Sequence, residues 1–315
     1  IAILLVYKIY YLKISVLEVL KMNKVTRLKY YIESLCIYDF EDDDVFSALY
    51  DLLCDDEEDT VALQSYFFKE LAKSESLKRH ISRLILTNDN IFTKAACAGK
   101  VNELSIAVIN AVKSDLAKLE EIASLTAQDI LADIDDEDIK EILLTLPGWE
   151  VGKPLAPLDS HWDRQLDELI KYHRENGYGI YAKNIAFTWR DEEITPVNSI
   201  DPIRLTDLKN YELQRNKVID NTESFIAGHP ANNVLLYGDR GTGKSSTVHA
   251  ILNEYWQKGL RMIEIPKSAV ADLSLIREQI ADSPMKFIIY IDDLSFDSND
   301  TSFSELKAAL EGSLS

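Results

Sequence analysis

The chain has 315 residues, of which 46% are hydrophobic, and this composition excludes a wholly disordered protein because enough apolar side chains are present to bury a core. Its 53 acidic and 34 basic residues give a net charge of −19, which excludes a general polyphosphate binder and limits any nucleic-acid contact to a local patch. Three cysteines without metal-ligand spacing, Cys36, Cys54 and Cys97, are typical of small buried hydrophobes in a reducing cytosol, so we expect a cytoplasmic protein.

Residues 1–21 form an apolar leader for which two interpretations stay open. The uncharged run Ile1–Tyr7 is far shorter than the ~20 residues that span a bilayer. The charges and the cleavage site of a signal peptide are also missing. The leader is either an amphipathic helix or upstream sequence translated ahead of a true start at Met22, and we expect no membrane partner.

Residues 22–147 show helical spacing and almost no glycine. Leu77, Ile81 and Ile85 recur on one helical face, and similar stripes follow further along. We therefore predict an all-α N-terminal domain over 22–147. Pro147-Gly148 then marks a break, and we predict a linker with a helix and an extended segment, residues 178–189, within 148–202.

Residues 203–315 show helices and strands in alternation, which predicts an α/β domain with a parallel sheet. The last predicted strand is an unbroken apolar run of the kind that is buried on both faces of such a sheet. In chain order the predicted elements are a helix stopped at Gly228, the strand Val234–Tyr237, a helix to about Gln257, the strand Leu260–Ile265, a helix over Leu273–Ile280, the strand Phe287–Ile291 and a last helix indicated by Phe303, Leu306 and Leu310.

The stretch Gly238–Ser245 reads G-x-x-x-x-G-K-S between a predicted strand and a predicted helix. Glycines let the backbone wrap a phosphate, and consecutive N–H groups at the helix N-terminus then face the anion. Lys244 is predicted to reach the β- and γ-phosphates, and the Ser245 hydroxyl to bind Mg²⁺. The pattern therefore predicts a nucleotide phosphate site.

Two aspartates follow the predicted strand Phe287–Ile291, about fifty positions after the glycine loop. The carboxyl ends of parallel strands meet at one edge of a sheet, so Asp292 is predicted to lie beside Lys244 and Ser245 and to hold the Mg²⁺ shell. Asp293 is predicted to face the γ-phosphate and to orient the attacking water or accept its proton. Lys244 and Asp293 are thus the candidate catalytic residues.

Residues 203–310 resemble the core of AAA+ ATPases. The resemblance depends on the glycine loop, on the strand end Ile288–Asp293 and on the approach Arg204–Tyr211. Asn232–Ser246 and Ile291–Phe296 are similar, more narrowly, to a bacterial AAA+ group known only as a domain of unknown function, and Leu84–Phe92 in the helical half is similar to that group too.

The resemblance implies an α/β P-loop NTPase fold with an AAA+-like parallel sheet, preceded by the all-α domain. It implies ATP and Mg²⁺ as cofactors, an assembly of identical subunits with ATP at the interfaces, and a protein client that the sequence does not identify. The cofactor-binding residues it implies are Leu208 and Tyr211 near the adenine and, around the phosphates, Gly238, Asp239, Arg240, Gly241, Thr242, Gly243, Lys244, Ser245 and Ser246.

This sequence departs from the AAA+ pattern in two respects. The acidic strand ends in Asp-Asp where many members have Asp-Glu, which is compatible with a slow switch. The family would also continue beyond Ser315 with a sensor strand, an arginine finger and a helical lid, so we expect a sheet that is incomplete at the C-terminus and a fragment that binds and turns over ATP poorly.

Three functions are compatible with these features. The first is an ATPase that remodels or recruits a macromolecule, whose full-length form would lose magnesium-dependent hydrolysis in Lys244→Ala and Asp293→Asn. The second is a nucleotide-gated adaptor without turnover. The third is a DNA-associated loader, against which the net charge of −19 argues.

Overall fold

The computed structural model describes residues 22–55, 58–74, 76–197, 199–281 and 283–292, so the predicted leader lies outside the described residues. The chain forms two compact units. The first takes in the described residues up to 92 together with 102–169, and the second takes in 93–101 and the described residues from 170 onward. No helix in these ranges is both long and apolar enough to cross a membrane.

The described part of residues 22–147 contains helices and no strand, as the apolar spacing predicts. Short 3₁₀ turns and loops connect its α-helices. These are α1 (Lys24–Glu33), α2 (Asp44–Cys54), α3 (Thr60–Leu71), α4 (Leu77–Leu86), α5 (Ile91–Cys97), α6 (Ile106–Ile122), α7 (Ala127–Leu131) and α8 (Glu137–Leu143).

Polar side chains cap the starts of several of these helices. The Asn23 side chain accepts the N–H of Thr26 at 2.7 Å ahead of α1, and Asp43 accepts that of Phe46 at 2.9 Å ahead of α2. Each such cap satisfies a backbone donor that the helix itself cannot pair and contributes about 1 kcal/mol. The positions at which these helices begin are therefore encoded locally.

One buried carboxylate ties the α1–α2 connection to α6. Asp115 is 0% exposed, and its Oδ2 accepts the N–H groups of Cys36 at 2.9 Å, Ile37 at 2.7 Å and Tyr38 at 3.3 Å. Its Oδ1 lies 3.6 Å from Lys118 Nζ. Three consecutive backbone donors thus share one anion, which is how a loop can be buried without unpaired N–H groups.

The remaining elements include both helices and strands. They are α9 (Leu166–Asn176), α10 (Gly179–Lys183), β1 (Ala186–Arg190), β2 (Glu193–Pro196), α11 (Glu212–Ile226), α12 (Lys244–Tyr255), β3 (Leu260–Glu264), α13 (Leu273–Ile280) and β4 (Lys286–Tyr290). The predicted helices and strands between Lys244 and Ile291 are all present, with ends shifted by at most two residues. The last predicted helix, around Phe303, Leu306 and Leu310, lies outside the described residues.

The four described strands form one mixed sheet in the order β2-β1-β3-β4. Strand β3 is parallel to both of its neighbours, pairing Met262 with Ala186 of β1 and with Ile288 of β4, and the edge strand β2 is antiparallel to β1. The described sheet is therefore largely parallel. Together with the helices around it, this sheet forms an α/β fold, as the predicted alternation of helices and strands indicates.

Helices cover both faces of this sheet. Met262 and Leu252 of α12 lie in one apolar cluster, and Leu260 lies with Ile251 of α12 and with side chains of α11 in another. On the opposite face, Ile263 packs with Ile276 of α13. Alternate residues of β3 thus point to opposite helical layers, as the two-residue period of a strand requires.

The predicted strand Val234–Tyr237 is not a strand in this structure. Three of its four side chains are exposed, Leu235 by 72% and Tyr237 by 89%, and none of the four described strands pairs with it. A strand needs a neighbour to receive its backbone hydrogen bonds, and local apolar sequence cannot supply one. Instead, Asn221 of α11 exchanges two hydrogen bonds with the backbone of Asn232, at 2.8 and 2.9 Å.

Two further expectations need correction. The segment 178–189, predicted as extended, begins with the helix α10, and only its second part forms β1. Strand β4, predicted as buried on both faces, is half-buried throughout because it lies at the end of the described sheet. Both differences arise because pairing partners, which the local sequence does not contain, decide these segments.

His173, near the end of α9, is completely buried and its Nδ1 lies 3.0 Å from the carbonyl oxygen of Gly177. Burial lowers the pKa of this imidazole, and the hydrogen bond to Gly177 opposes the shift only in part. The folded protein therefore holds His173 neutral at a pH at which the unfolded chain already binds a proton.

We expect the free energy of unfolding to fall as the pH drops below about 6.5, by up to ~1.4 kcal/mol per pH unit. The loss would continue until the pH reaches the lowered pKa of folded His173. Urea unfolding at pH 7.5 and at pH 5.5 measures this loss of free energy. The substitution His173→Gln should make the free energy of unfolding depend less on pH. Exposed His229 offers the matched control, His229→Gln. An unchanged pH dependence in His173→Gln would contradict the assignment.

Candidate functional site

The glycine loop Gly238–Gly243 leads into the N-terminus of α12. Gly243 stands just ahead of the first helical residue with a φ of 83°, in the left-handed region that favours glycine. A Cβ built on Gly243 would meet no atom within 4 Å, so backbone conformation, and not lack of space, requires glycine there. The loop therefore leaves open space beside the unpaired N–H groups that begin a helix, which is the arrangement that binds phosphate.

Lys244 folds back over its own loop. Its Nζ donates to the carbonyl oxygens of Gly238 and Asp239, both at 2.9 Å, and the Thr242 hydroxyl donates to the Asp239 carbonyl at 2.9 Å. These bonds close the loop into a compact turn around the ammonium group. Lys244, which is predicted to contact the phosphates, thus lies at the loop. A bound phosphate oxygen would have to replace the hydrogen bonds that Lys244 now makes to the loop carbonyls.

Ser245, on the first turn of α12, lies close to Asp292, two residues after the end of β4. The Ser245 Oγ lies 3.4 Å from Asp292 Oδ1 and 3.3 Å from Asp292 Oδ2. The structure therefore brings together the two residues predicted to hold magnesium, although 47 positions separate them in the chain. Asp293, the second predicted carboxylate, lies outside the described residues.

Tyr290, the last residue of β4, lies two positions before Asp292, and no sequence motif singles it out. Burial raises the pKa of the Tyr290 hydroxyl to about 12. The ring also lies edge-on to that of His249, one turn along α12 from Ser245, with centroids 6.2 Å apart. The alternation of side chains along a strand could have indicated Tyr290, because it places this residue on the same face as Asp292.

The chain ahead of α11, which contains the predicted adenine contacts Leu208 and Tyr211, is hydrogen-bonded to α11 and α12. Asn253 of α12 donates to the carbonyl oxygens of Asp201 and Ile203, at 2.8 and 2.9 Å, and Arg215 of α11 donates to that of Leu208 at 2.7 Å. Tyr211 precedes α11 in the left-handed region, with a φ of 54°, and is 57% exposed. The adenine contact of Leu208 and Tyr211 stays a prediction.

The other predicted loop residues lie where the motif places them. Asp239, Arg240 and Gly241 are exposed, and Ser246 is half-buried in the first turn of α12. In the part of the chain that the structure describes, no group of three or more His, Cys, Asp or Glu residues could hold a metal by itself. A cation at Ser245 and Asp292 would therefore take its remaining ligands from nucleotide phosphates and water, as Mg²⁺ commonly does.

No curated protein and no solved structure matches this chain. Residues 182–315 do match a family described as "Protein of unknown function (DUF815)". The matched range includes the described sheet, the glycine loop and Asp292. The part of the chain that contains the candidate site is therefore similar to an uncharacterised family of proteins.

Proposed function

We propose that this protein binds Mg-ATP through the glycine loop and is an ATPase of the AAA+ kind. The observation that carries the proposal is the approach of Ser245 to Asp292, 3.3 Å apart, at the head of the helix that follows the loop. A hydroxyl and a carboxylate at that place are the protein ligands that P-loop NTPases supply to magnesium. Without this approach, only the sequence pattern of the loop would indicate a nucleotide site.

The residues present fit a nucleoside triphosphate. The N-terminus of α12 offers unpaired N–H groups and the positive end of the helix dipole, and Lys244 adds a full charge. Magnesium bound with the nucleotide would neutralise phosphate charge. The chain's own residues would position it, Ser245 and Asp292 from either side and Lys244 from the loop.

Hydrolysis depends on residues of two kinds. Asp293 is proposed to orient water at the γ-phosphate. An arginine finger from a neighbouring subunit would complete the site, which is why we propose a homo-oligomer with ATP at its interfaces. The client that such an ATPase would remodel or recruit is a macromolecule of unknown identity.

Equilibrium binding of a fluorescent ATP analogue to the purified chain tests the proposal, once with Mg²⁺ and once with EDTA. We expect saturable binding that magnesium strengthens and that unlabelled ATP displaces. Phosphate release in the same samples would favour an ATPase over a nucleotide-gated adaptor, since an adaptor would bind without turnover. No displaceable binding in either buffer would refute the proposed function.

A further inference from the structure

One side chain of α12 holds the start of the segment 201–208, which lies ahead of α11. The Nδ2 group of Asn253 donates to the carbonyl oxygen of Asp201 at 2.8 Å and to that of Ile203 at 2.9 Å. A side-chain amide carries two N–H donors, so Asn253 can pair both carbonyl oxygens at the same time. Asn253 therefore fixes where this segment lies on the helix that begins at the glycine loop.

The segment 201–208 is also held in its middle and at its end. Leu205 packs against the apolar cluster that contains Ile251 of α12. At the end of the segment, Arg215 of α11 donates to the carbonyl oxygen of Leu208 at 2.7 Å. The segment is thus attached to two helices at three places, and Asn253 supplies two of the three hydrogen bonds.

Tyr211 follows this segment with its side chain exposed. Asn210 and Tyr211 both lie in the left-handed region, with φ values of 64° and 54°. Residues other than glycine are disfavoured there, so the surrounding structure has to impose this conformation. An exposed aromatic ring in an imposed position is suited to stack on a nucleotide base.

The segment and the phosphate site are connected through one rigid element. Asn253 follows Ser245 by eight residues of α12, which correspond to about 12 Å along a helix. That length is of the order of the distance between the terminal phosphate and the base of an extended nucleotide. Because α12 does not bend over so few turns, Asn253 sets the position of the segment relative to phosphates bound at the head of the helix.

We propose that Asn253 is a positioning residue that holds the segment 201–208 so that Leu208 and Tyr211 contact the base of ATP bound at the glycine loop. The inference rests on the proposed function and names a residue on which recognition of the base depends. Asn253 acts through the segment and not on the nucleotide itself. Loss of its two hydrogen bonds should therefore weaken recognition of the base and leave binding of the phosphates unchanged.

Calorimetric titration with ATP and with inorganic triphosphate, both in Mg²⁺, tests the inference, because inorganic triphosphate has no base. We expect Asn253→Ala to lose about tenfold of its affinity for ATP, since two hydrogen bonds are lost and each is worth about fivefold in an equilibrium constant. Its affinity for inorganic triphosphate should equal that of the wild type. Asn253→Asp keeps the shape of the side chain but cannot donate to a carbonyl oxygen, so it should show the same selective loss.

Asn184→Ala is the matched control. Asn184 is a half-buried asparagine of the same unit, and its Nδ2 donates to the carbonyl oxygen of Ile180 at 3.1 Å. This control should bind ATP and inorganic triphosphate as the wild type does.

Two results for Asn253→Ala would overturn the inference. Equal losses of affinity for ATP and for inorganic triphosphate would show a merely structural role, and wild-type affinity for ATP would show no role. Wild-type protein that binds inorganic triphosphate as tightly as ATP would also overturn the inference, although the phosphate site would stand. Wild-type protein that binds neither ligand would instead refute the proposed function.

Discussion

Lys244→Ala should weaken ATP binding about a hundredfold. An ammonium that donates to phosphate oxygens makes charge-assisted hydrogen bonds worth roughly 1.5–3 kcal/mol each. The free protein offsets part of this gain, because Lys244 first has to leave the carbonyl oxygens of Gly238 and Asp239, both 2.9 Å away. A net loss of about 2.7 kcal/mol corresponds to two orders of magnitude in affinity.

Titration with the ATP analogue in Mg²⁺ measures this effect directly. Lys217→Ala is the matched control, because Lys217 is an exposed lysine on α11 of the same unit and removes the same charge from the protein. A general change in net charge would weaken both variants alike. Lys244→Ala with wild-type affinity would show that ATP does not bind at the glycine loop, whatever else the protein binds.

Asp115→Ala should lower the free energy of unfolding by about 3–5 kcal/mol, the range found when one partner of a buried charged network is removed. The substitution leaves the N–H groups of Cys36, Ile37 and Tyr38 without the oxygen that accepts all three. It also deprives Lys118 of the carboxylate at 3.6 Å. Because α1 and α2 meet at this connection, the loss should lower the melting temperature by about 10 °C.

Thermal and urea unfolding, followed by circular dichroism, check this expectation. Asp51→Ala, an exposed aspartate on α2, is the control and should change the free energy of unfolding by no more than about 0.5 kcal/mol. Asp115→Asn retains one acceptor oxygen and should fall between the two. If Asp115→Ala were as stable as Asp51→Ala, the three backbone hydrogen bonds could not be what holds the α1–α2 connection.

Much of the fold follows from patterns that a few neighbouring residues contain. The helices of residues 22–147 follow from apolar spacing and from caps such as Asn23 and Asp43, which act within one turn. The strands β3 and β4 and the helices α12 and α13 were also predicted closely. The failures are segments whose state depends on distant partners, as Val234–Tyr237 shows by its exposed side chains.

The sequence by itself predicted a phosphate site and the turn that forms it, because the glycines, Lys244 and Ser245 stand within one loop and one helical turn, and local backbone chemistry decides their arrangement. The tertiary structure alone decided that residues 186–196 supply two strands of the sheet and that Asp292 meets Ser245. Those outcomes depend on which strands pair and on which face of β4 turns toward α12, and both are set by contacts between residues far apart in the chain.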